Sequence, residues 1–277
     1  VKVSVFYNPT KEKAEARAKE LARELNRVEV EVEVNKTEKG VFRWDATIDT
    51  SFNLVVVFGG DGSFLNTARQ VVPHGIPIIG INHGHLGFLS EYGDIELSKL
   101  AAEIKSGSWD YEERTVIKAY LPEYDKVFIA INDIAIQRSH YSNLLYTDLF
   151  VDDSLLQSFR ADGIVVCTPT GSTAYALSAG GAVMDPNIRA FEIVPVAAHS
   201  LASRPHVISD EQTIVLKSKD ELEFFMQADG QELISLDPGT TIIITRFEQP
   251  LKLARLTSSD RSFYSILRDK MKWGLSS

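Results

Sequence analysis

The chain has 277 residues, a formal net charge of -9 from 29 Lys and Arg against 38 Asp and Glu, and 44% hydrophobic residues. These values are those of a globular chain with room for two domains, and not of a disordered tail, a coiled coil or a membrane-spanning protein. The acidity argues against a nucleic-acid partner, which needs a basic face. The one cysteine, Cys167, excludes an internal disulfide framework, Cys-rich zinc sites and CxxC redox chemistry. A soluble cytoplasmic protein with no membrane partner is expected.

Val3, Val5 and Tyr7 alternate in a first strand that stops at Asn8-Pro9. Residues 11–25 carry Ala14, Ala18, Leu21, Ala22 and Leu25 on one helical face, with Thr10 as the expected cap. Valines then alternate with Glu29, Glu31 and Glu33 in a half-buried strand with an acidic outer face. The apolar run 54–58 ends in Gly59-Gly60-Asp61-Gly62, and a helix is expected from Phe64, capped by Ser63. A continuous apolar run suits a parallel strand covered on both faces. A buried strand over 76–81 and an amphipathic helix over 95–104 complete a doubly wound, Rossmann-like α/β pattern.

After Trp109 the chain becomes β-rich, with strands expected at 116–121, 127–137, 144–151, 164–167, 193–196, 213–217, 222–226 and 241–245. Only 172–180 reads as a helix there, and residues 260–273 return to helical character. The expected division is 1–112 with 255–277 packing back on it, and 113–254 as the β-rich domain.

The glycine turn at 59–62 stands where ligands bind in open α/β sheets, at the carboxyl end of a strand. Its glycines let a ligand approach, and the Asp61 carboxylate is positioned to meet a hydroxyl; a plain strand-to-helix turn is the alternative. The segment Thr168-Pro169-Thr170-Gly171-Ser172-Thr173-Ala174-Tyr175 offers helix-start amides and hydroxyls for an anion, and a tyrosine ring for a base, or is an ordinary capped helix start. Asn132-Asp133 sits where strand interiors disfavour both residues, so the pair needs polar partners such as sugar hydroxyls, or marks a bulge or an edge. His83 and His85 have metal-ligand spacing but no adjoining carboxylate motif, and Asp229-Gly230-Gln231 reads as a hairpin turn. There is no Walker A loop, G-x-G-x-x-G fingerprint, G-x-S-x-G or H-E-x-x-H. Cys167 lies in an apolar strand and reads as buried.

In order along most of the chain, these motifs resemble the NAD kinase family: GGDG at 59–62, the segment 82–89 ending in LGFL, Asn132-Asp133, Asp162-Gly163, TPTGSTAY at 168–175, the Ser-Ala-Gly-Gly run at 178–181 and Asp229-Gly230-Gln231. GGDG alone is shared with lipid kinases and phosphofructokinases; TPTGSTAY is far more specific. The resemblance implies an N-terminal α/β domain and a β-rich C-terminal domain. It implies phosphorylation of the 2′-hydroxyl of the adenosine ribose of NAD, with ATP as donor and a divalent metal, expected to be Mg²⁺. Asp61 is then the proton acceptor. The expected dinucleotide contacts are Gly62, Phe88, Asn132, Asp133, Asp162, Thr170, Thr173, Ala174, Tyr175, Ser178, Ala197 and Gln231. Arg160, two residues before Asp162, is expected to meet a phosphate or ribose. Gly59, Gly60 and Gly62 are the candidates for the ATP phosphates, and no protein metal ligand is assigned. A homodimer or homotetramer is implied. Many members carry Glu at the position of Asp133, so the reach of that carboxylate is shorter here. The rival readings are a lipid kinase, which wants a membrane-binding patch, and a non-catalytic NAD sensor, which has no use for Asp61.

Overall fold

Strand Lys2–Tyr7 pairs in parallel with Glu31–Lys36 on one side and Leu54–Phe58 on the other. A computed structural model describes residues 1–37, 49–82, 87–93, 95–139, 144–200, 202–219, 221–259 and 262–272. The chain divides into two compact units, Val1–Glu113 with Leu251–Ser277, and Arg114–Pro250.

The sheet of the first unit has the order Glu31–Lys36, Lys2–Tyr7, Leu54–Phe58, Ile78–Ile81, Leu251–Leu256, Trp109–Arg114. Chain order reverses around the first strand, so the loops after Tyr7 and Phe58 flank a topological switch point. Helix Ala14–Arg27 buries Ala14, Ala18, Leu21, Ala22 and Leu25. With helix Leu97–Ser106 it closes one face over Val3, Val5, Val56, Phe58 and Ile79. Helix Asp61–Val71 covers the other face, where Phe64 lies against Gly80. That two-sided cover explains why all five residues of Leu54–Phe58 are buried.

Several local expectations shift. Lys13, not Thr10, occupies the first cap position, and the Thr10 hydroxyl bonds Asn8 Oδ1 instead (2.8 Å). The second helix starts at Asp61, with Gly60 as its cap, so Ser63 lies in the first turn. The glutamates of the second strand flank Lys2, whose ammonium is 3.4 Å from both Glu31 and Glu33. Strand Leu251–Leu256 pairs with Ile78–Ile81 through Leu253 and Ile78, which draws the boundary of the first unit back to Leu251.

The second unit is a sandwich of two six-stranded sheets. One holds Lys126–Ala130 and Ser154–Ala161 at its edges, and the other holds Asp133–Arg138 and Gly163–Cys167 at its centre. A single core joins them, including Phe128, Phe159, Phe191 and Phe224. The expected strand over 127–137 is two strands: the chain leaves one sheet after Ala130 and enters the other at Asp133. Asn132 is therefore at a crossing, not inside a strand. Among the described residues no helix is long and apolar enough to cross a membrane.

Candidate active site

In the first unit, the Asp61 carboxylate accepts three backbone N–H bonds: Phe88 to Oδ2 at 2.9 Å, and Leu89 and Ser90 to Oδ1 at 3.2 and 3.0 Å. The carboxylate expected to meet a hydroxyl is therefore held by its own chain as well. A carboxylate has about four acceptor positions, so one remains for a further donor. The clamp needs a glycine at 87, where a Cβ would stand 1.8 Å from Asp61 Oδ1. Asn8 ties the two loops of the switch point together: its amide donates to Ser63 Oγ (2.7 Å), and its backbone N–H to the Phe58 carbonyl. Gly62 is exposed, Gly60 and Phe88 are half-buried and Gly59 is buried.

In the second unit, the crossing at 131–133 is braced from a distance. Asp229 and Gly230, both with positive φ, form a type I′ hairpin turn closed by Gln231 N–H on the Ala228 carbonyl. The Asp229 carboxylate accepts from the amides of Ile131 (3.1 Å), Asn132 (2.7 Å) and Asp133 (3.3 Å). The DGQ turn is thus the brace of the Asn-Asp pair, a role that its sequence alone does not reveal. Asp133 is 4% exposed. Burial, and then the Asp229 charge, push its carboxyl up to about 7, while a bond with the Tyr175 backbone opposes the rise. In strand register Asp133 pairs with Cys167, and Cys167 with Glu192. Burial also pushes the Cys167 thiol and the Glu192 carboxyl up.

The TPTGSTAY segment folds as a 3-10 turn, Thr170–Thr173, and one α-turn, Tyr175–Ser178. The expected anion site at its start is not formed by the amides that would line it. Gly171 N–H donates to Thr168 Oγ1, Ser172 N–H to the Thr168 carbonyl, and Ala174 N–H to the Gly171 carbonyl. The segment sits tightly on the crossing: Thr168 N–H donates to the Asn132 carbonyl, and a Cβ at Gly171 would lie 2.0 Å from that oxygen. The Thr170 hydroxyl is buried and, among the described residues, has no hydrogen-bond partner. Thr173 and Ala174 are half-buried, and Ser178 is exposed.

A cavity of about 340 Å³ lies beside this segment, lined by Gln137, Arg138, Asp162, Tyr175, Val196 and Phe225 among others. It brings together Asp162 and Tyr175, both expected from sequence, with Gln137 and Arg138, which were not. Gln137 donates to the Tyr175 hydroxyl (3.1 Å), and Arg138 pairs with Asp162 (3.0 Å). The one signal in the sequence that could have found them is their place on the strand that follows Asn132-Asp133. The position of Arg160 two residues before Asp162 suggests the mouth of the same strand, and the structure corrects this. Arg160 is exposed on Ser154–Ala161 in the other sheet, with its guanidinium 4.8 Å from the Tyr146 ring centroid. Ala197 is exposed, with a φ of 47°, one residue beyond Val196. His83 and His85 lie outside the described residues. Among the described residues no three His, Cys, Asp or Glu side chains converge to hold a metal ion.

Residues 3–107 match the family described as the ATP-NAD kinase N-terminal domain, and residues 131–256 that described as the ATP-NAD kinase C-terminal domain. The chain is 40% identical over 224 residues to an NAD kinase of Carboxydothermus hydrogenoformans, covering 79% of each. It is 39% identical over 223 residues to an NAD kinase of Moorella thermoacetica, covering 79% of this chain and 71% of the relative. Among solved structures, an NAD kinase from Archaeoglobus fulgidus in complex with ATP superposes with a TM-score of 0.77 at 27% identity, over 97% of this chain and 99% of the other. A yeast NADH kinase complexed with NADH has the same fold, with a TM-score of 0.84 at 22% identity, over 100% of this chain and 88% of the other. The chain belongs to the ATP-NAD kinase family.

Proposed function

We propose that this chain is an NAD kinase that moves the terminal phosphoryl group of ATP onto the 2′-hydroxyl of the adenosine ribose of NAD, giving NADP and ADP. The observation that carries the reading is the Asp61 carboxylate, fixed at a helix start beside a sheet switch point by three amides. A ribose hydroxyl is a weak nucleophile at neutral pH. As its oxygen bonds to the terminal phosphorus, the bond to the bridging oxygen of ADP breaks, and the hydroxyl proton passes to Asp61. General-base assistance of this kind is worth about 10²–10⁴ in rate, and the rest of phosphoryl transfer is alignment and charge neutralisation.

In this reading the dinucleotide is held by Asp162 and Tyr175 in their common cavity, with Asn132, Asp133, Thr170, Thr173, Ala174, Ser178, Ala197 and Gln231. Gly62, Phe88 and Arg160 add contacts. Two features support it. The buried Thr170 hydroxyl lacks a partner among the described residues, and Asp133, whose carboxyl is raised to about 7, can both accept from and donate to a sugar diol near neutral pH. Gly60 and Gly62 remain the candidates for the ATP phosphates, whereas the Gly59 N–H is already taken by the Ile81 carbonyl (2.9 Å). A divalent ion, Mg²⁺ by its fit to phosphates, travels with ATP and neutralises its charge; the described residues build no cage for it. The setting is cytoplasmic, and the active form is a homodimer or homotetramer. The test is incubation with NAD, ATP and Mg²⁺, with NADP detected by an NADP-specific dehydrogenase. NADP accumulates if the reading holds; NAD binding without NADP formation would make the chain a sensor.

A further inference from the structure

Phe88 joins the Asp61 clamp to the C-terminal helix, Phe263–Met271. Its backbone N–H donates to Asp61. Its ring lies 6.3 Å from that of Phe263, tilted by 42°, and the Lys270 ammonium stands 5.8 Å from the same ring centroid. Phe263 and Lys270 are seven residues apart, close to two full turns, so the helix presents both on one side. The helix is well anchored for this task. Ser262 and Ser265 close a capping box at its start, and Ile266 and Leu267 are buried.

What sets Lys270 apart from the other lysines is its place, at the ring of the residue whose amide holds Asp61. Carboxylates outnumber Lys and Arg by 38 to 29, so a surface lysine has many acids to pair with. Lys270 is exposed, yet among the described residues it makes no ion pair, and its one recorded neighbour is the Phe88 ring. A ring face attracts an ammonium without neutralising it. The charge is therefore available to an anion next to the Asp61 clamp. The glycine turn at 59–62 carries no formal positive charge, its Gly59 N–H is held by the Ile81 carbonyl, and Asp61 itself repels phosphates.

We propose that Lys270 binds the phosphoryl donor: its ammonium contacts the non-bridging phosphate oxygens of ATP, with Phe263 and Phe88 as the positioning residues that hold it there. This rests on the kinase reading above. In the transfer, the ribose oxygen bonds to the terminal phosphorus and the bond from that phosphorus to the bridging oxygen breaks. The electron pair stays on ADP and the proton passes to Asp61. Lys270 forms no covalent bond and gives no proton; it offsets the charge on the phosphates and on the departing ADP.

The test is steady-state kinetics of the full chain and of Lys270→Met and Lys270→Arg, varying ATP at saturating NAD and then the reverse. Lys270→Met is expected to lower kcat/KM for ATP by about 10- to 100-fold, with KM for NAD and the melting temperature unchanged, because the side chain is exposed. Lys270→Arg restores most of the loss. Added salt should depress kcat/KM for ATP more steeply in the unsubstituted chain than in Lys270→Met. Wild-type kcat/KM for ATP in Lys270→Met overturns the inference while leaving the kinase reading intact. Equal losses in both variants with a lowered melting temperature also overturn it, since the role is then structural. If the unsubstituted chain forms no NADP, the kinase reading falls and takes this inference with it.

Discussion

Gly87→Ala is the sharpest probe of the Asp61 clamp. A Cβ at residue 87 would stand 1.8 Å from Asp61 Oδ1, 2.4 Å from Cγ and 2.6 Å from Oδ2, where real Cβ contacts do not fall below 3.0 Å. The carboxylate must therefore retreat by roughly 1 Å or more, and a misplacement of about that size costs on the order of 10² in rate. It also leaves the amides of Phe88, Leu89 and Ser90. Each bond to a charged acceptor is worth about 1.5–3 kcal/mol, but Asp61 is half-exposed and water replaces part of it. A stability loss of about 2–3 kcal/mol is the result. The assay is the initial rate of NADP formation beside a denaturant titration. Turnover should fall about 100-fold, and the same substitution made on top of Asp61→Asn should cost little more, because both act on one group. Full activity in Gly87→Ala would refute the argument that this placement of Asp61 is the one that does the chemistry.

Asp229→Ala orphans the amides of Ile131, Asn132 and Asp133, and at about 1–3 kcal/mol per unsatisfied donor a stability loss of about 3 kcal/mol or more is expected in urea titration; wild-type stability would contradict the bracing role. Asp133 has a folded-state carboxyl raised from 3.8 to about 7, so the folded chain holds that proton more tightly than the unfolded one. Its stabilisation is complete below 3.8 and lost as pH rises through about 7, a span of roughly 4 kcal/mol at about 1.4 per unit. Asp133→Asn should flatten that fall between about pH 4 and pH 7, and an unchanged slope would show that another group carries it. Arg160→Ala should raise KM for NAD several-fold with kcat unchanged; an unaltered KM would leave Arg160 as a surface residue resting on Tyr146.

The strands buried on one or both faces were legible because their apolar pattern is strong. Four of the five strands that the pattern missed are sheet edges: Trp109–Arg114, Ser154–Ala161, His206–Ser209 and Glu232–Leu236. Their residues are largely exposed, so periodicity is weak. The fifth, Leu251–Leu256, is interior, but it pairs with a strand far away in sequence, and no local signal reports that. The crossing at 131–132 was hidden for the opposite reason. Apolar residues continue across it, and only Asn132-Asp133 marks the break. At the candidate site, Asp61, Asp162 and Tyr175 announced themselves through glycine-rich and hydroxyl-rich motifs. Asn8, Arg138 and the bracing role of Asp229 did not, because each matters through a partner that only folding supplies.

In the proposed reaction Asp61 accepts the proton of the attacking hydroxyl. Asp61→Asn preserves the size of the side chain and one carbonyl acceptor for the clamp, but removes the base. The Asp61→Asn protein should fold, bind NAD with wild-type affinity and form NADP about 10²–10⁴ times more slowly. Wild-type turnover in Asp61→Asn, measured with the same NADP-specific dehydrogenase, would contradict that role.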